Sequence, residues 1–116
     1  MVVLVYQRRI NMFNLNELAV IAYENAAKRE AKDGKVSTDT MKMLKHTATE
    51  IVEATEAYLD YGYINKPQSK RVFASELADI VCCVLIIAGK ENIDMEYALT
   101  ACMVKNYKRA IGEGDK

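Results

Sequence analysis

The spacing of apolar positions divides the chain into four helical stretches. Leu15, Leu18, Ala19, Ala22 and Ala26 recur every three or four residues, with Ile21 beside them, and predict a first helix over residues 15–32. Asn14 supplies its N-cap, Glu17 completes a capping-box pattern, and Asp33-Gly34 ends it. A second helix is expected from Ser37 to Tyr61, with Gly62 as its stop. On it Met41, Leu44, Ala48, Ile51, Val52, Thr55, Tyr58 and Leu59 fall on one side. His46, Thr49, Glu50, Glu53, Glu56 and Asp60 fall on the other, an ordinary amphipathic pattern. Asn65-Lys66-Pro67 marks a connection, and a third helix is expected from Ser69 to Ala88, stopped by Gly89. Asp94 caps a fourth that ends near Ile111-Gly112. Short connections imply antiparallel neighbours, so the expected fold is an all-α, antiparallel four-helix bundle.

Residues 12–112 read as the helical domain. Residues 1–11 read as an N-terminal extension, either disordered or a short strand or arm used in oligomer contacts, with Met12 as an alternative start. Residues 113–116 are expected to fray.

The third helix departs from the amphipathic pattern. Phe73, Ala74, Leu77, Ala78, Ile80, Val81, Val84 and Leu85 surround Glu76 and Asp79 on nearly every side. A helix that is apolar all round is normally buried, and Asp is a poor residue for a helix interior. Unpaired buried carboxylates cost several kcal/mol each, to order of magnitude, so these two need partners. Glu50 and Glu53 on the second helix have the same i, i+3 spacing, which puts each pair on one helix face. Two such helices face to face would gather four carboxylates. Alone, Glu50 and Glu53 are ordinary for a solvated face.

A buried salt-bridge network with Lys105 or Arg109 would neutralise the four acids, and so would divalent metal. Metal is favoured because the acids outnumber the obvious buried bases. His46 is the only histidine, and Met43 stands three residues before it, so the Glu-x-x-His pairs of a di-iron bundle are missing. All-oxygen ligation suits Mg²⁺, with Mn²⁺ as a substitute, and Mg²⁺ commonly bridges to substrate phosphates. Lys105, Asn106 and Arg109 on the last helix would then anchor phosphate oxygens, although cations at a helix C-terminus are also favoured by the dipole alone.

Composition narrows the function classes. Lys plus Arg and Asp plus Glu are both 16, so the formal net charge is zero and no basic nucleic-acid surface is expected. Hydrophobic residues make up 51% of the chain, enough for a core. Cys82, Cys83 and Cys102 are odd in number and lie in apolar stretches, which suits buried thiols in a reducing cytoplasm. The longest apolar run, residues 80–88, is far short of the ~20 needed to span a bilayer, so no membrane segment is expected. Apolar surface on several helices predicts self-association.

Glu50-x-x-Glu53, then Glu76-Leu77-Ala78-Asp79 in an apolar helix, then Asn106-x-x-Arg109 in a terminal helix, resembles the MazG-like all-α nucleoside triphosphate pyrophosphohydrolases. The likeness covers residues 14–109. It implies Mg²⁺-dependent cleavage of a nucleoside triphosphate to the monophosphate and pyrophosphate, a role in removing unwanted nucleotides, and a homodimer or homotetramer. It further implies that Glu50, Glu53, Glu76 and Asp79 hold metal and that Lys105, Asn106 and Arg109 contact phosphates. A metal-activated water would attack the α-phosphorus in line, with one carboxylate, Glu53 or in its place Glu50, orienting or deprotonating it. The chain departs from the pattern at Thr49, Cys83 and Cys102, where relatives carry an acid, a Tyr and a Lys. Those departures leave the metal set intact and bear on the phosphate contacts and base pocket. Phe13, Tyr23 and Tyr61 are aromatic candidates for stacking on a base, although such residues are more often core. The alternative function is a non-catalytic partner-binding or regulatory module on the same scaffold.

Overall fold

The computed structural model describes residues 4, 5, 8, 13–64 and 67–113. They form four helices, α1 (Leu15–Asp33), α2 (Thr40–Ile64), α3 (Pro67–Glu91) and α4 (Met95–Ala110), with no strand among them. Leu4, Val5 and Arg8 have helical backbone. The expectation for the rest of residues 1–11, and that for 114–116, falls outside the described residues, as do Asn65 and Lys66 of the expected connection.

Local chemistry fixes the helix ends. Asn14 caps α1 by accepting the Glu17 N–H at 2.9 Å, and Gly34 closes it in the left-handed region at φ 68°. Asp94 caps α4 by accepting the Tyr97 N–H at 3.0 Å. The expected start of α2 was three residues early. Asp39 caps that helix through the Lys42 N–H at 3.0 Å, and Ser37 and Thr38 lie before it. Gly62 and Gly89 were expected to end helices and instead lie inside them. Pro67 is the first residue of α3, where its missing N–H costs nothing.

Both α1 and α2 run opposite to α3. Ala19 near the start of α1 meets Gly89 near the end of α3, and Thr40 at the start of α2 bonds Glu91 at 3.0 Å. At the other end Phe73 of α3 lies 5.4 Å from Tyr58 and 6.3 Å from Tyr61, ring centre to ring centre. Antiparallel pairing therefore holds for α2 with α3. It does not hold for α1 with α2, because residues 34–39 double back. Glu30 holds that return, accepting the Thr38 N–H at 3.0 Å and hydroxyl at 2.8 Å. Bonds to the Thr38 backbone and hydroxyl keep the Glu30 carboxyl below its ordinary value.

The core is small. Ala19, Leu85 and Ala88 centre it, with Leu15, Leu18, Ala22 and Met95 packed around them. Helix α4 meets α1 at its first turn, where Leu15 N–H donates to Glu96 and the Asn16 side chain to Asp94. It buries none of its residues.

The α2 pattern is reversed. Among its described side chains the buried ones are Met43, Glu50, Ala54 and Ala57, on the face carrying the acid, while Met41, Leu44, Ile51, Val52, Tyr58 and Leu59 are exposed. Helix α3, expected to be buried all round, buries Cys83, Leu85 and Ala88 and exposes Val72, Leu77, Val81 and Val84. By length and composition α3 is apolar enough to cross a membrane, with a mean hydropathy of 2.2 in its most apolar window, contrary to the expectation from the run at 80–88. Counting an unbroken run stops at Asp79, whereas the high mean hydropathy of α3 is that of a longer window. Lipid-facing carboxylates are costly, however, and Glu76 and Asp79 of α3 belong to the cluster described next.

Candidate metal centre

Glu50 lies midway along α2, and Glu76 and Asp79 lie one turn apart on α3. Antiparallel packing brings the three together, with one carboxylate oxygen from each within 4.8 Å of the others. Glu50 is only 9% exposed and Glu76 is half-buried. Glu50 Oε2 and Glu76 Oε2 are both shut off from solvent with no hydrogen-bond partner. Buried polar atoms are nearly always paired, so two orphan oxygens in one cluster call for a ligand.

Glu50 is the most constrained. His46 Nε2 lies 3.0 Å from its other oxygen, one helical turn away. Burial first, then the charge of Glu53, push the Glu50 carboxyl above its ordinary value; Asp79 adds to the push and His46 opposes it. A cation would reverse both the burial penalty and the repulsion.

The donor set fits a hard cation. Glu50, Glu76 and Asp79 would hold such a cation through carboxylate oxygen alone, the donor type that suits Mg²⁺. Cys82 and Cys83 stand beside the cluster, but burial pushes both thiols up. Neither thiol belongs to the group of ligand atoms that come together, which are carboxylate oxygens.

The expected site residues divide into three groups. Glu50, Glu76 and Asp79 form the cluster. Glu53 is exposed and outside the three-carboxylate group, within electrostatic reach of Glu50. Lys105, Asn106 and Arg109 are exposed on α4, where Asn106 Nδ2 lies 3.8 Å from Cys102 Sγ. They do not line the cavity of about 360 Å³ that opens beside the cluster.

That cavity reaches from Glu50 and Asp79 to Arg29 at the end of α1 and Lys35 in the α1–α2 connection. Sequence reasoning missed both cations. They belong to the charged stretch Lys28–Lys35; packing of α1 on α3 brings Arg29 to the cavity, and the return of residues 34–39 brings Lys35. Of the aromatic candidates, Tyr61 stacks on Phe73 and Tyr23 lies under Lys90, 5.8 Å from its ammonium. No protein family, curated protein or solved structure matches this chain.

Proposed function

We propose that this protein is a Mg²⁺-dependent nucleoside triphosphate pyrophosphohydrolase, with Mn²⁺ as a substitute, that clears unwanted nucleotides in the cytoplasm. The observation that carries this reading is the pair of buried, unpartnered oxygens of Glu50 and Glu76 in a three-carboxylate cluster. Glu50, Glu76 and Asp79 would hold the cation. Bound there, it would lower the pKa of a water and offset phosphate charge. Glu53, exposed beside Glu50, would orient or deprotonate the attacking water. Lys105, Asn106 and Arg109 would contact phosphates from the α4 of another copy in a homodimer or homotetramer. The exposed apolar faces of α2 and α3 support such an assembly.

Those same exposed faces favour a second reading, a partner-binding module that keeps the metal site without turnover. One experiment separates the two. Pyrophosphate release is measured across ribo- and deoxyribonucleoside triphosphates, with Mg²⁺ and with chelator, for wild type and Glu53→Gln. The expected outcome is Mg²⁺-dependent release of pyrophosphate and monophosphate, about a hundredfold or more slower in the folded variant. Folded protein that binds Mg²⁺ and releases no pyrophosphate from any nucleotide would point to the module. Near-normal rates in Glu53→Gln would remove Glu53 from the chemistry.

A further inference from the structure

The cavity beside the cluster carries opposite charges that do not touch. Glu50 and Asp79 come from α2 and α3, Arg29 and Lys35 from the end of α1 and its connection. Among the described residues, the cluster's polar side-chain contact is that of His46 with Glu50; no bond joins Arg29 or Lys35 to a carboxylate. Had these cations served to neutralise the buried acids, direct pairs would be the expected arrangement. An open space of about 360 Å³ lies there instead, at the lower end of the range for small-molecule sites.

Charge decides what fits. A bare anion would be repelled by three carboxylates. A bare divalent cation would satisfy the acids and gain nothing from Arg29 and Lys35. A cation carrying an anionic group satisfies both sides at once.

The cationic side is also held in place. Asp33 accepts the Lys35 N–H at 2.9 Å, and three residues later Thr38 is fixed to Glu30 by two bonds. Gly34, just before Lys35, turns the chain out of α1 in the left-handed region at φ 68°. The backbone carrying Lys35 is therefore fixed before any ligand arrives, while its exposed side chain and that of Arg29 remain able to reach into the cavity.

We propose that this cavity seats the phosphate groups of the substrate as their metal complex, with Arg29 and Lys35 as phosphate-binding residues contributed by the same chain as the carboxylates. The proposal rests on the metal reading above and adds two residues to it. Arg29 offers a planar fork for two phosphate oxygens, and Lys35 a point charge. Each would act on the phosphate end and leave the base unread.

The test is calorimetric titration of the full chain with pyrophosphate in the presence of Mg²⁺, for wild type, Arg29→Gln, Lys35→Gln and the double variant. Mg²⁺ alone is titrated in parallel, and circular dichroism checks folding; both positions are exposed, so the variants should fold. Each single change is expected to weaken pyrophosphate about tenfold, and the double change more, with Mg²⁺ affinity held within about twofold. Arg29→Lys should recover part of the loss, because the charge returns without the fork. Unchanged pyrophosphate affinity in the double variant would overturn the proposal and leave the metal site standing. A wild-type chain that binds no Mg²⁺ would overturn the metal reading, and this proposal with it.

Discussion

Glu50 is the residue on which the site turns. Its folded carboxyl titrates above the ordinary value of about 4.3, chiefly because it is buried. For an acid raised on folding, the fold binds the proton better than the unfolded chain does. The penalty is absent below the unfolded pKa, grows as pH rises through the raised folded pKa, and stays constant above it. Metal-free protein should therefore lose stability over that window, and Glu50→Gln should not. Melting curves in chelator at several pH values should show the variant overtaking wild type as pH rises. With Mg²⁺ the order should reverse, since a cation that binds only the folded state stabilises it. Parallel pH profiles for the two proteins would mean that Glu50 carries no such strain.

At the scale of elements, the contact of α1 with α3 depends on small residues. Ala19 and Ala26 of α1 and Ala88 and Gly89 of α3 let the two backbones approach. A Cβ at Gly89 would run into the Ala19 carbonyl and sit 2.8 Å from Tyr23 Cβ. Backbone cannot move aside as a side chain can, so Gly89→Ala should force the helices apart. Its higher helix propensity offsets part of the cost, and we expect a net loss of about 1–3 kcal/mol in denaturant melts. A neutral or stabilising effect would show that the contact yields freely. Because α1 carries Arg29, the same variant should also weaken Mg²⁺-dependent pyrophosphate binding.

The whole molecule is looser than its length requires. Its radius of gyration is 16.8 Å, against about 13 Å for a compact domain of similar size. Val52 and Leu59 of α2 are 58% and 55% exposed, and Val81 of α3 is 55% exposed. Patches of this kind on several helices mark association surfaces. Sedimentation should give a mass two or four times the 13.1 kDa of one chain. Leu59→Glu should shift it toward the monomer, since a charge at the centre of an apolar interface goes unpaired. A wild-type monomer at micromolar concentration would remove the assembly from the proposal, and with it the supply of Lys105, Asn106 and Arg109 by a second copy.

By itself the sequence determined the helices, because periodicity, Asn14 and Asp94 act within a few residues of chain. It also singled out Glu76 and Asp79, since two acids in an apolar helix are anomalous wherever that helix packs. Glycine was ambiguous for a local reason: the same missing side chain that ends α1 at Gly34 allows close approach at Gly89. Only the tertiary structure decided which face of α2 turns inward. A single helix cannot distinguish an apolar face awaiting a core from one awaiting another chain, and here the acid-bearing face took the interior. The meeting of Arg29 and Lys35 with the carboxylates was likewise invisible in the chain. It depends on the packing of α1 against α3 and on the reversal at residues 34–39, long-range geometry that no local spacing encodes.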